Sequence, residues 1–449
     1  MVIPVIHPPI PSQRYDCHGC TNCCRDLVVQ LTPADRKKID AGGWADRLGV
    51  SPYVRAGRIT ALNHKPDGGC VFLSEDGQCR IHAEDGVTAK PLACRIFPFT
   101  LTPGDDALHA SFRFDCPSVA KNDGSPLSKH RSELNRLAKS LAESALSEIA
   151  PAPSEYLLDK YHRLKDRTVD HLIEQLERWI SDRKRPIHRR LIGLSEWVRT
   201  LASTKLNRFD DDRLIELTTL LMSDMDAAAS SIESKPLDPP SPRQLKMLYQ
   251  SVFSHCEHVT LEEARVSLLK RTAIYWDQFK RTRRLSPGRG PIPRLGTLPE
   301  GGRIEQVHAV QPDANLPEKE CDSLLTRYLQ ARITGRSAFG RGYYGWPILD
   351  GLQALLLSIA TIGWLTRRVA VLNGRTVYRF EDVVAAVGLV DRTTGRAPEL
   401  GAHSARMRLR FLTEDNGLLR LLTTYPILPS PSPEGSAYPH QVPTDSASM

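Results

Sequence analysis

Eight of the ten cysteines in this 449-residue chain stand before Pro117. Four make a single run, Cys17-His18-Gly19-Cys20-Thr21-Asn22-Cys23-Cys24, of the form C-x-x-C-x-x-C-C. Cys70, Cys79, Cys94 and Cys116 follow, while Cys256 and Cys321 lie alone far downstream. Cysteines used as small hydrophobes scatter through apolar elements; these sit among Gly, Asn, Asp, His and Arg. Disulfides need an oxidising compartment. Met1 to Arg14 carries Pro4, Pro8, Pro9 and Pro11 with no basic start and no sustained apolar stretch. The expectation is therefore no secretory signal and a cytoplasmic protein. A redox dithiol would use two thiols and leave six unexplained. A metal or iron–sulfur centre takes thiolates four at a time, and short-spaced pairs are how a chain supplies them. That is the reading adopted for Cys17, Cys20, Cys23, Cys24, Cys70, Cys79, Cys94 and Cys116.

The spacing suggests a division of labour. Cys17, Cys20 and Cys23 let one loop wrap a centre with three thiolates. Cys116, followed by Pro117, has the Cys-Pro form that completes such runs in bacterial ferredoxins. Adjacent side chains diverge, so Cys24 is expected to join Cys70, Cys79 and Cys94 at a second site. One centre with spare thiols is the other possibility. Four thiolates suit zinc or an iron–sulfur cluster of the 4Fe-4S type. Either would carry excess negative charge, which His18, Arg25, Arg80, His82, Lys90, Arg95 and Arg113 could offset. His82, three residues after Cys79, is a further candidate ligand.

More than cysteines recurs here. Gly69-Cys70-Val71-Phe72-Leu73, Asp76-Gly77-Gln78-Cys79-Arg80-Ile81-His82, Lys90-Pro91-Leu92-Ala93-Cys94-Arg95-Ile96-Phe97-Pro98-Phe99 and Phe114-Asp115-Cys116-Pro117 follow the first run in order. Together they resemble the cysteine-cluster family of zinc- or iron-chelating proteins, over about Tyr15 to Val119. The resemblance implies a metal or iron–sulfur site made by the matching cysteines. Some longer members are flagellin lysine N-methylases, which use S-adenosylmethionine, and this chain resembles them in plan. A protein lysine N-methyltransferase is thus the alternative function, with no catalytic residue assigned.

The remainder reads as helices. The expected fold class is α+β: a small, metal-stapled cysteine-rich domain with short strands (15–120), then a mainly α-helical region. That region divides into helices over 126–280, a basic, Pro/Gly-rich and solvated linker over 281–316, helices over 317–425 and a disordered tail over 426–449. Expected strands are Leu27–Leu31, Val71–Leu73 and Ala107–Phe114, with a turn at Asp76-Gly77. Thr32-Pro33-Ala34-Asp35 starts a helix. Helices are expected over Leu127–Ile149 and Ser154–Ile180, and from Ile348 to Val371 at the centre of the C-terminal part. Phe97 and Phe99 are expected to cap the core beside the metal. Gly340-Arg341-Gly342-Tyr343-Tyr344-Gly345 fits G-x-G-x-x-G but follows a helical pattern, so it reads as a turn rather than a phosphate loop. His255-Cys256-Glu257-His258 reads as a helix end rather than a ligand set.

The net charge of +8 permits acidic partners without demanding nucleic acid. The Lys280–Arg284 run has no interleaved aromatics, which argues against a nucleic-acid surface. The best apolar window, Ala354–Leu365, is too short to span a bilayer. A protein substrate or partner on the helical region is the expected recognition.

Overall fold

The helix Ile348–Leu372 is apolar around nearly its whole circumference, and a helix of that kind must be covered on all sides. It is the axle of the computed structural model. The structure describes all residues except 1–4, 7–12, 26, 57–58, 105–106, 145–155, 207, 236, 258–260, 262, 264–267 and 429–449. Helices Ile187–Ser203, Pro242–Cys256, Phe380–Thr393, His403–Glu414 and Gly417–Thr424 pack around the central one. Two glycines let backbones touch. A Cβ at Gly363 would sit 2.0 Å from the Tyr425 carbonyl oxygen, and one at Gly351 would sit 2.1 Å from that of Ala338. By length and composition this helix could cross a membrane, which corrects the expectation that its apolar stretch is too short. Its most apolar window has a mean hydropathy of 1.6, and 94% of that window is buried among the protein's own helices.

The fold class is α+β, with a mainly helical C-terminal region. Among the described residues strands are short and confined to pairs and one three-stranded sheet. In that sheet Leu108–Phe112 runs antiparallel to Phe99–Pro103 and parallel to Val5–Ile6. The hairpin side chains Phe99, Leu101, Leu108, Ala110 and Phe112 belong to the same continuous core as the central helix. Ser111 Oγ donates to the Ala331 carbonyl at 2.6 Å on helix Glu318–Thr334. Phe114 meets Tyr328 edge-on at 5.4 Å. A separate, thinner core serves the rest of the cysteine segment: Leu31, Ile39, Trp44, Leu62, Val71, Phe72 and Ile81, with Cys70, Cys79 and Cys94 against it.

Several expected elements take another form. Leu27–Leu31 is extended but only bridges the hairpin Tyr53–Ala56/Ile59–Leu62, through Leu31 N to Thr60 O and Leu62 N to Val29 O. Val71–Leu73 is a turn, because Leu73 pairs back with Cys79 across Asp76-Gly77. Helix Pro33–Ala41 starts at Thr32 as expected, with Thr32 and Asp35 forming a capping box. Leu127–His130 is a 3-10 turn leading into helix Arg131–Ala142, and 145–149 lie outside the described residues. The long helix starts at Asp166, not Ser154. Tyr156–Leu157 instead pairs with Arg163–Leu164, and Asp159 accepts from the N–H groups of Tyr161 and His162 to close the turn.

Lys280–Arg284 stays helical, in Leu268–Leu285, because Arg281 is buried in an ion pair with Glu257. The stretch beyond it is not solvated as expected: Ile292, Leu295, Ile304 and Val307 are buried in the main core. Aromatics do stand beside this basic run, with Trp276 and Phe279 stacked and exposed one turn before it. The 340–345 glycine motif is a turn before the central helix, as its context suggests. His258 and the tail from 429 lie outside the described residues.

Candidate metal centre

The C-x-x-C-x-x-C-C run forms a loop with little regular structure. Gly19 and Thr21 take left-handed φ values of 65° and 64°, and the chain then tightens into a 3-10 turn, Asn22–Cys24. Side chains from elsewhere hold this turn. Asn22 Nδ2 donates to the Asp115 carbonyl at 2.7 Å, and Arg392 Nη2 donates to Asn22 Oδ1 at 3.3 Å. Cys24 O accepts from Cys70 N at 2.8 Å, which draws the second group of cysteines beside the first. The Ser74–Gln78 turn folds Cys79 back toward Cys70. Cys94 lies on the short helix Leu92–Ile96. Its start is pinned by Asp35, whose Oδ1 accepts from Leu92 N at 3.1 Å while Oδ2 closes the Thr32 capping box.

Cys116 reaches the loop from the helical body. Asp391 Oδ2 accepts from Phe114 N at 2.8 Å and from Asp115 N at 3.3 Å, and its other oxygen pairs with the buried Arg332. Arg327 donates to the carbonyls of Val119 and Ala120, both at 2.8 Å, and so fixes the helix Pro117–Lys121 that follows Cys116. Arg327 has no carboxylate partner among the described residues, and burial pulls its pKa down to about 10.

Five thiols, from Cys23, Cys24, Cys70, Cys79 and Cys94, line one cavity of about 370 Å³. Cys23 and Cys24 have their sulfurs 3.9 Å apart. Burial pushes the Cys70 thiol up to about 11; the Phe72 N–H opposes that rise and Cys79 adds to it. Cys94 is raised by burial first and then by Cys70, with Cys23 and Cys79 behind it. Cys94 lines the cavity and is half-buried. Cys116 is pushed up to about 12 by burial, against the Val119 and Ser118 N–H groups, with Cys20 and Cys23 contributing. Cys17, Cys116 and Cys23 together act on Tyr15, after burial, to raise its phenol. Cys23 thus contributes to the shifts of Cys94 on one side and of Cys116 on the other. Cys17 and Cys20 are exposed. Among the described residues no three His, Cys, Asp or Glu side chains are close enough to hold a single ion.

Of the expected basic neighbours, Lys90 and Arg113 line the cavity. Burial opposes the Lys90 charge, but Cys94, Cys79, Cys23 and Cys17 outweigh it and raise its pKa. Arg113 is tied to Asp115 by two hydrogen bonds and lies over the Phe97 ring at 4.9 Å. His18 pairs with Asp123, Arg25 with Asp67 and Arg80 with Glu84, and none of the three lines the cavity. His82 is exposed and does not line the cavity, contrary to the ligand alternative. Phe97 faces the cavity, whereas Phe99 points into the main core. Cys256 and Cys321 are buried in that core, as is His255 beside Thr393. The far wall was not foreseen: Glu257, Gln278, Arg392, Thr393, Arg396 and Glu399 come from helical segments hundreds of residues downstream.

Residues 16–119 match the family model CxxCxxCC, described as "Putative zinc- or iron-chelating domain". The chain is also similar to the uncharacterized protein MJ0939 of Methanocaldococcus jannaschii, with 25% identity over 160 residues. That stretch covers 35% of this chain and 49% of the relative, so the chain spans about half the length of the curated relative it matches. No solved structure matches the chain. The likeness to flagellin lysine N-methylases is not shown.

Proposed function

We propose that residues 16–119, matched as a zinc- or iron-chelating domain, hold an iron–sulfur cluster of the 4Fe-4S type in their thiolates. One observation carries this: five thiols from four separate segments face a common cavity, yet among the described residues no three such side chains are close enough to hold a single ion. Zinc–sulfur bonds of about 2.3 Å in a tetrahedron require sulfurs about 3.8 Å apart. A polynuclear cluster spans a wider set. When bound, such a cluster supplies redox or Lewis-acid iron, and zinc would instead supply a rigid clamp. The chain's own residues do the rest. Lys90 sets a positive charge among the thiols, the Phe72 N–H favours the anionic form of Cys70, and Phe72, Phe97 and Ile81 keep water from that wall. The methyltransferase alternative rests on no residue described here, and S-adenosylmethionine has no part in this reading.

The test is anaerobic purification followed by the visible absorption spectrum and analysis of iron, sulfide and zinc. A brown protein with iron and sulfide in similar amounts is expected. Colourless protein holding zinc would sink the cluster and leave the zinc clamp; protein holding neither would sink both. The assignment of ligands has its own check. Cys24→Ser should remove metal from this centre, shared with Cys70, Cys79 and Cys94, and Cys116→Ser from a second centre with Cys17, Cys20 and Cys23. Unchanged metal content in both variants would refute this division between two centres.

A further inference from the structure

The cavity over the thiols has a volume of about 370 Å³, in the range of organic-ligand pockets. Its walls are mostly apolar, with Val28, Val29, Leu62 and Phe97 on the cysteine side and Ala397 and Pro398 opposite. Its charged groups are not equivalent. Glu257 is fully engaged, accepting from Arg281 at 2.6 and 3.2 Å and from Gly296 N at 2.8 Å. Arg113 is engaged by Asp115.

Two guanidiniums on the far wall are differently placed. Arg392 reaches only the neutral Asn22 amide, and its buried Nε has no hydrogen-bond partner. Arg396 is exposed at the rim and donates only to the Asp391 carbonyl, at 3.1 Å. Among the described residues neither makes an ion pair, and Glu399, on the same wall, pairs with neither.

We propose that this cavity binds a small amphiphilic organic anion beside the metal centre. Its carboxylate or phosphate would lie between Arg392 and Arg396, and its apolar body would extend toward Phe97 and Val29. A planar guanidinium pair suits either oxyanion, and an unpartnered buried donor gains most from such a ligand. The inference stands on the cavity and not on the metal, so the two can fail separately.

The test uses the full-length, metal-loaded protein and 8-anilinonaphthalene-1-sulfonate, an aromatic anion that brightens in apolar surroundings. One saturable site is expected, with the neutral analogue N-phenyl-1-naphthylamine binding at least tenfold more weakly. Octanoate or octyl phosphate should displace the dye, and inorganic phosphate at the same concentration should not. Arg392→Met with Arg396→Met should weaken the dye at least tenfold. Because Arg392 also holds Asn22, Arg396→Glu at the rim is the second variant and should weaken it several-fold. Trp276→Ser, on the exposed aromatic pair, should change nothing. Equal binding of the neutral analogue, undiminished binding in both arginine variants, displacement by phosphate alone, or loss on Trp276→Ser would each overturn the proposal.

Discussion

Chelation of the metal-loaded protein should release residues 27–98 from order while the helices around Ile348–Leu372 stay protected. The thin core of that segment has seven fully buried apolar side chains, each contributing about 1.5–3 kcal/mol. So few buried side chains do not order a segment of this length by themselves, and thiolate–metal binding ties its loops into one fold. Hydrogen exchange followed by mass spectrometry, with and without chelator, reads this directly. Protection that survives complete metal loss across 27–98 would show that the metal does not hold the segment together.

Asp391→Asn should cost about 3–5 kcal/mol, the usual penalty for breaking a buried ion pair by removing one charge. Arg332 is left without a counter-charge in a site where both side chains are almost wholly buried. Asp391 also receives the N–H groups of Phe114 and Asp115, so the variant should loosen the approach to Cys116 as well. The double variant Asp391→Leu, Arg332→Met should be less damaged than the single, because no charge is stranded. Denaturant midpoints measure all three. A single variant within about 1 kcal/mol of the parent would mean that Arg332 finds another partner.

The thiol cluster could be read from the sequence because its chemistry is written in residue type and short spacing. The helices could be read where apolar residues repeat at helical intervals, as in Asp166–Ser181, or where the apolar run is long, as in Ile348–Leu372. Strands of four residues, such as Tyr53–Ala56 with Ile59–Leu62, carry too few positions for alternation to register. Ser154–Ile180 misled because its first residues have helical spacing, while Asp159 closes a turn that no periodicity reports. The Lys280–Arg284 run looked like a solvated loop because charge pattern cannot show that Arg281 has Glu257 beneath it. The far wall of the cavity was least visible. Arg392 reaches Asn22 across 370 positions of chain, and only the tertiary packing of Phe380–Thr393 brings them together.

The hairpin that leads to Cys116 shares its apolar face with the central helix, and this limits how the protein can be taken apart. A piece cut at the family-matched boundaries would carry all eight clustered cysteines but would lay Leu108, Ala110, Phe112 and Phe114 bare to water. Such a fragment would aggregate rather than refold as a free-standing chelator. Whatever strains the sulfur loop is also felt at Arg327 and Asp391, so the two halves are geared to each other rather than strung in series.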